Sequence, residues 1–583
     1  MGLVADCVVT ARGPRNRGRE GSRPELIPLA LAFLSIPFRT GDTPAEQLCR
    51  ASPYKSPPVI STKGSSRFVF HPPTMLKLVV LLAAAYLAYE LACRLRNQKP
   101  LPPGPPPLPL IGNLHQHPTD QPWVQYRDWH RKYGPIITVK MGIRTVIFLG
   151  SHKAVDDILT KRGKVYCSPP NFAFFGECMT GNSLPVLLPQ SAKRRDIHRL
   201  VVTILSPKAC QAYSAVQERE SLRLMKGLLS ADGNNKYSWG YSVGVTSTLI
   251  YGERMGEAEE AEIGDIEALF NGILDVVSKE NVIIELYPFL NLLPRRFNRW
   301  KQAGDQFREH FIKLWGRRMR RGLRNHNWNW ARLFNDNKPA DMSEEQLLFC
   351  IAELEIGAAI STASLIRLFI ATAVRNPAAT QRVREEIDKV VGTDRLPCLD
   401  DQEKLPLLRA FFYEMTRWKA AFPLSLPYTG LEEGEYNGYR IPQDALVIAN
   451  QWSLNMDPDV FVHPEIFRPE RWIENPDLPK PSIFGYGRRV CPGEQFGTNS
   501  MFIAFSRMLW MFDTKPSDKG IGSDEAHTAL GMIAESDTDG VKFVPRDPNR
   551  LRVFEAMLEG HMHEDKKLLD DASRAVRLQL AGK

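Results

Sequence analysis

The sequence predicts one large domain mixing helices and strands, set behind an apolar segment and a stiff proline-rich connector. Three observations lead there. Beyond Pro107 the 583-residue chain shows no linker-like break and no internal repeat, although its length could hold several domains of about 100–200 residues. Met75 to Leu95 is the most hydrophobic stretch, and Pro102-Pro103-Gly104-Pro105-Pro106-Pro107 follows it closely. Both kinds of local pattern occur downstream. Lys132-Tyr133-Gly134-Pro135 before Ile136 to Lys140 reads as a turn entering a strand, and Glu414 and Arg417 are spaced to share one face of a helix.

Residues 1–74 are rich in Arg, Pro, Gly and Ser. Their one apolar patch, Leu26 to Phe38, is too short to span a bilayer and is interrupted by Pro28 and Pro37. An Arg-bearing start fits an organelle-targeting segment, but Asp6, Glu20 and Glu25 count against one. The expectation is a disordered extension or a start assigned too far upstream, with Met75 where an anchored chain would begin. Residues 75–95 are marginal against the ~20 residues a spanning helix needs, and Glu90 is a cost. Arg94, Arg96 and Lys99 follow and would hold the C-terminal side in the cytosol. A buried core helix is the alternative. Residues 96–107 form the connector, because consecutive prolines are stiff and extended. Residues 549–583 read as a charged tail.

The formal charge of +9 suits an anionic membrane face and an acidic partner protein, and is not clustered enough to argue for nucleic acid. Nine cysteines without Cys-x-x-Cys or Cys-x-x-Cys-His exclude an obvious zinc site or covalent haem attachment. Their scatter fits a reducing compartment.

The chemistry concentrates in Phe484-Gly485-Tyr486-Gly487-Arg488-Arg489-Val490-Cys491-Pro492-Gly493. One cysteine sits in a glycine-rich turn, two residues after an arginine, with a helix-like segment following. That suits a thiolate bound axially to haem iron. Gly485, Gly487 and Gly493 would let the backbone pass close to a flat macrocycle and aim amides at the sulfur, while Arg489 could neutralise a propionate. A lone cysteine is more often buried and inert. Upstream, Glu414 and Arg417 can pair across one helical turn, an arrangement common on solvated helices. Arg471, in Phe467-Arg468-Pro469-Glu470-Arg471-Trp472, would close a structural charge cluster with them.

Phe484, Gly487, Arg489, Cys491 and Gly493, with the Glu414/Arg417 and Arg471 segments in order, resemble the cytochrome P450 family, and in particular its membrane-anchored fungal members. The resemblance covers roughly residues 100–548. It implies a mainly α fold with small β-sheets, a triangular helical haem domain over 108–548, and haem b with Cys491 as axial thiolate. It further implies insertion of one oxygen atom from O2 into a lipophilic metabolite, in fungal secondary metabolism. Electrons would come from NADPH-cytochrome P450 reductase, with cytochrome b5 as a further donor. The chain would be a single-pass endoplasmic reticulum protein, a monomer with its catalytic domain cytosolic.

Gly357-Ala358-Ala359-Ile360-Ser361-Thr362 resembles the family's distal-helix segment, where an acid and an alcohol deliver protons. Ser361 holds the alcohol position and Ile360 the acid position. A slip of one residue makes Thr362 the alcohol, still without an acid. The family's Trp-x-x-x-Arg falls on Arg195 and Arg199, or by the same slip on Arg194 and His198, and Arg199 is the first choice for a propionate. Tyr428 stands where many fungal relatives have histidine. The missing acid keeps a haem-thiolate isomerase, dehydratase or peroxide-using enzyme open, as well as a non-catalytic haem protein. The distal-pocket segments, Phe172 to Cys178, Ala421 to Ser425 and Leu530 to Ile533, are apolar and imply a medium-sized hydrophobic substrate, aromatic or terpenoid.

Overall fold

The structure, a computed structural model, describes residues 99–581, less 119–120, 231–233, 256–261, 263, 268, 270–281, 295–297, 518–526, 530–532, 537 and 561–564. The N-terminal extension, the anchor segment and Leu530 to Met532 therefore lie outside the described residues.

Helices dominate. In chain order the principal ones are α1 (Pro122–Tyr133), α2 (Ala192–Ile204), α3 (Ser214–Leu229), α4 (Asn234–Tyr251), α5 (Arg299–Arg324), α6 (Glu344–Arg375), α7 (Pro377–Val391), α8 (Pro406–Trp418), α9 (Glu494–Met511), α10 (Pro548–Gly560) and α11 (Asp565–Ala581). The strands are short: β1 (Ile136–Met141), β2 (Arg144–Leu149), β3 (Gly434–Tyr436), β4 (Tyr439–Ile441), β5 (Leu446–Ala449), β6 (Phe512–Pro516), β7 (His527–Ala529), β8 (Ile533–Glu535) and β9 (Val541–Pro545). β1 and β2 form a hairpin with Ile136 opposite Leu149, and β5 joins β2 in parallel with Val146 opposite Leu446. The other strands pair in twos, β3 with β4, β6 with β9 and β7 with β8.

α6 is the axis of the core. Its start is sealed by a capping box: Ser343 Oγ accepts from the Gln346 amide and Gln346 Oε1 from the Ser343 amide, both at 3.1 Å. Glu344 and Glu345 occupy the first turn, where the helix dipole favours acids. Asn376 and Pro377 end it. Among the described residues α6 alone is long and apolar enough to cross a membrane, yet 78% of its most apolar window is buried inside the protein, so it is a core helix.

One carboxylate fixes the rotation of α6. Glu355 is fully buried and accepts from Tyr251 Oη at 2.8 Å, Trp315 Nε1 at 2.9 Å, Ser247 Oγ at 3.2 Å and the Arg318 guanidinium. These partners come from α4 and α5. A fully compensated buried charge tolerates no other orientation, since turning it away would leave Arg318 unpaired in the interior.

A second buried cluster organises the approach to the cysteine loop. Glu414 and Arg417 on α8 are fully buried and pair bidentately, Arg417 Nη2 to Glu414 Oε1 at 2.8 Å and Nε to Oε2 at 2.9 Å. Arg471 Nε, Trp472 Nε1 and the Arg468 amide also donate to Glu414, at 3.1, 3.0 and 2.8 Å. Arg417 Nη1 donates onward to the carbonyls of Asn455 and Pro464. The solvated-helix alternative is thereby excluded for this pair.

Two segments differ from their sequence expectations. The proline connector does not stand free at its C-terminal end. The Thr138 amide of β1 donates to Pro103 O at 3.0 Å, and Asn113 Nδ2 to Pro105 O at 3.1 Å and Pro106 O at 3.2 Å. Gly104 lies so close to β1 that an added Cβ would meet Thr138 O at 2.0 Å. Residues 549–583, read as a charged tail, contain α10 and α11. Leu569, Ala572 and Val576 recur at i, i+3 and i+7, and all three are fully buried; α11 packs on α2 and the short helix Pro207–Ala212. The high charge of this segment hid a narrow apolar stripe.

An apolar surface also forms beside the connector. Ile283, Phe289, Leu292 and Leu293 are exposed, Leu292 by 86%, as are Leu108 and Ile111. Tyr287 Oη donates to Leu110 O at 3.0 Å and ties the two segments together.

Replacing Arg417 by alanine leaves Glu414 buried with its bidentate partner gone. The expected cost is about 3–5 kcal/mol, read as a lower denaturation midpoint, whereas Arg409→Ala on the exposed face of α8 leaves the midpoint within about 0.5 kcal/mol of wild type.

Candidate functional site

The cysteine loop runs from Phe484 to Gly493 and delivers the chain into α9. Its turn needs glycine at two places: Gly485 has φ +82° and Gly487 φ +57°. Gly487 is held there by protein rather than by space for a macrocycle, since a Cβ would meet Leu159 O at 2.1 Å. The Cys491 amide donates to Phe484 O at 2.7 Å and closes the loop. The Phe484 ring lies against Gly497 of α9. Tyr428, buried, accepts from the Tyr486 amide at 3.3 Å and braces the loop from the β5 side.

Among the described cysteines, Cys491 is the one exposed to solvent; Cys167, Cys178, Cys210 and Cys350 are buried and Cys398 is half-buried. Surrounding protein nevertheless desolvates the Cys491 thiol and raises its pKa; the Gly493 amide opposes that shift, and the Glu494 charge adds to it. A thiol both deep and accessible lines a cleft. Without a cation beside it the sulfur holds its proton at neutral pH, and a metal ion would reverse that balance.

Arg489 sits deeper. Its Nε donates to Cys167 O at 2.7 Å and its Nη1 to Val186 O at 3.0 Å, while Nη2 is buried with no hydrogen-bond partner. Burial, then the nearby Arg194 charge, lowers its pKa to about 10. A guanidinium with one orphaned buried N–H and a second cation beside it fits a carboxylate arriving from outside the chain. Such a carboxylate is what a haem propionate offers, so these residues fit the cofactor.

The structure corrects the choice of Arg199. On α2, Ile197, Val201 and Ile204 face the core, which turns Arg195 and Arg199 to solvent. Arg199 is 67% exposed and pairs with Asp196 in its own helix. Arg194, one residue before Arg195, is half-buried and its charge reaches Arg489; His198 is exposed, and desolvation by burial and then Arg194 and Arg489 lower its pKa. A one-residue step turns a helix by about 100°, enough to take the exposed Arg195 to the half-buried Arg194.

Across from the loop, α6 presents a stripe that is accessible in an otherwise buried helix. Glu353, Gly357 and Ser361, spaced i, i+4 and i+8, lie within an arc of about 80°. Ser361 Oγ donates to Gly357 O at 2.7 Å, leaving its oxygen lone pairs toward the cleft. Thr362 is turned into the core at 7% exposure, as is Ile360, so of the two alcohols Ser361 is the one at the cleft.

Glu353 was missed in the sequence. Its Oε2 accepts from the Val186 amide at 3.1 Å, while the Val186 carbonyl accepts from Arg489. Val186 thus bridges the distal helix and the cysteine loop. Burial raises the Glu353 pKa to about 7, against the opposing pull of the Val186 amide, Arg489 and Arg194. The available signal was a carboxylate within the apolar run Leu347 to Ile360, one turn before Gly357.

At the cleft's outer end, the carboxylate of Glu285 gathers the amides of Ala173, Phe174 and Phe175 at 3.0, 2.8 and 3.1 Å, fixing the Phe172 to Cys178 loop. Phe174 is in the core, while Phe175 is only partly buried.

The sequence matches the cytochrome P450 family over residues 102–539. It is 36% identical over 487 residues to cytochrome P450 monooxygenase peniB of Penicillium patulum, covering 82% of this chain and 91% of that protein. Cytochrome P450 monooxygenase FrzL of a Cladobotryum species is 37% identical over 448 residues, 76% of this chain and 87% of that protein. Cytochrome P450 monooxygenase aneD of Aspergillus aculeatus is 35% identical, with 75% and 85% covered.

In haem-free protein, iodoacetamide should label Cys491 ahead of the other described cysteines. The rate should still be rising at pH values above the ordinary thiol pKa, because the thiolate forms late. Reconstitution with haem should protect this cysteine, as peptide mapping by mass spectrometry would report.

Proposed function

The chain belongs to the cytochrome P450 family and is a monooxygenase of that family; from that premise we propose how its own residues carry the reaction. Cys491 Sγ would hold the iron of haem b. Arg489 Nη2 and Arg194 receive the propionates, and Tyr428 braces the loop from behind. Haem held there would supply the redox chemistry of a monooxygenase, in which one oxygen atom of O2 enters the substrate and the other leaves as water with two electrons and two protons. The observation that carries this reading is an accessible, enclosed cysteine beside an arginine whose buried Nη2 has no partner.

The remaining chain positions and excludes. Gly357 and Ala358 keep the α6 stripe low, leaving room above the cysteine loop. Ser361 Oγ holds a hydroxyl at the cleft and could take a proton from water there and pass it on. Ile360, buried, takes no part, so water ordered at Ser361 replaces the family's acid. The substrate is a lipophilic metabolite of fungal secondary metabolism, in keeping with the apolar segments around the cleft. Electrons come from NADPH-cytochrome P450 reductase. The exposed Phe289, Leu292, Leu108 and Ile111 support docking on the endoplasmic reticulum membrane beside the anchor, because apolar patches of this kind seldom face water.

The carbon monoxide difference spectrum of the reduced protein tests the ligand: wild type should show the strongly red-shifted thiolate Soret band, and Cys491→Ala should lose it. Arg194→Leu should lower haem occupancy after purification, while Arg199→Leu leaves it unchanged; the opposite order would restore the original register. Product formation with NADPH and reductase identifies the monooxygenase. Turnover with peroxide alone would instead favour the peroxide-using alternative that Ile360 raises.

A further inference from the structure

Glu353 has a place in the cleft that the reaction leaves without a role. It is set by the Glu355 cluster: residues two apart on a helix point about 200° away from each other, so fixing Glu355 among Arg318, Tyr251, Trp315 and Ser247 fixes Glu353 toward the cysteine loop. The two carboxyls are compensated very differently. Glu355 accepts four side-chain donors, one of them a guanidinium. Glu353 accepts one backbone amide on Oε2, and Oε1 has no hydrogen-bond partner among the described residues.

The nearby cations do not fill that vacancy. Arg489 donates to the carbonyls of Cys167 and Val186, and Arg194 Nη1 donates to Gln190 Oε1 at 3.1 Å. Neither forms an ion pair with Glu353, and in the functional reading above both serve the propionates. On the same helix, Leu354, Ile356 and Ala358 pack against the hydrophobic core and bring no polar group to Glu353. An under-compensated carboxyl selects for a ligand that brings the missing charge partner, because a neutral occupant placed against it would seal the carboxyl away from water unpaired.

We propose that Glu353 determines substrate specificity by pairing its Oε1 with a cationic nitrogen, so that the enzyme's substrates are lipophilic amines rather than neutral hydrocarbons. Its ionisation near neutral pH is compatible with this, since a bound cation favours the charged carboxylate. The nitrogen is held about 12 Å along α6 from Ser361, given eight residues at about 1.5 Å each, and this separation sets which carbon of an extended substrate lies over the cysteine. Glu353 takes no part in bond making; it fixes the far end of the molecule.

The inference rests on the haem-thiolate reading, and the test separates the two. The full chain is loaded with haem, and its carbon monoxide spectrum is recorded for wild type and Glu353→Gln. Equilibrium dialysis then measures two probes: benzyltrimethylammonium, whose quaternary nitrogen cannot ligate iron, and neopentylbenzene, which has carbon in its place. In Glu353→Gln the ammonium should bind about tenfold or more weakly, with the hydrocarbon within about twofold of wild type and the haem spectrum unchanged. Glu353→Leu should go further and bind the hydrocarbon more tightly. Equal changes for both probes, or none, would overturn the role of Glu353 while leaving the haem reading intact. A chain that takes up no haem would overturn the reading beneath it.

Discussion

The buried pairing of Glu355 with Arg318, Tyr251, Trp315 and Ser247 is the constraint on which the distal half of the site depends. An α-helix offers its residues at fixed angular steps, so immobilising one charged side chain immobilises the direction of all the others. Removing Arg318 would leave the Glu355 charge uncompensated in the interior, and removing a neutral donor would leave one of its lone pairs unmet, which makes the orientation stiff as well as specific. From that setting follow the accessible positions of Glu353, Gly357 and Ser361 and the burial of Ile360 and Thr362.

The proximal half is organised by the same physics in a different element. Glu414 collects donors from α8 and from the Arg468 to Trp472 segment, so a helix and a loop distant in sequence behave as one rigid piece. The cysteine loop hangs from that piece at one end and from α9 at the other. Neither cluster performs chemistry. Each uses a buried, saturated carboxylate to hold a polar surface in place, and the site lies between them, joined through the two sides of the Val186 peptide.

Between these fixed walls stand the groups that are not saturated: the Cys491 thiol, Arg489 Nη2, Ser361 Oγ and Glu353 Oε1. Saturation in the frame and vacancy in the cleft are complementary. Of these, Arg489 Nη2 is buried without a partner, which a protein keeps only where something else supplies one; on the proposed reading the four would meet, in order, a metal ion, a carboxylate, water and a cation. The departures from the family pattern are easier to understand in that light. Ile360 stands where the family has an acid, while Arg194 and Arg489 keep two neighbouring cations beside the loop despite the missing tryptophan.

The sequence by itself determined the family and the cysteine, because ten contiguous residues with fixed chemistry carry them and no long-range contact is needed to recognise them. It also determined the Glu414, Arg417 and Arg471 cluster, whose members lie in two recognisable short motifs. The pairing of acid and base at Glu414/Arg417 was legible from spacing alone, although its burial was not. Only the tertiary structure decided that Arg194 rather than Arg199 faces Arg489, that Ser361 rather than Thr362 reaches the cleft, and that the charged C-terminal segment is two docked helices. It also brought Glu353 into the site. The reason is common to all four. Motif spacing fixes which residues share a face of a helix, but the direction in which that face points is set by tertiary partners, here Arg318 and Tyr251 for α6 and the packing of Ile197 into the core for α2.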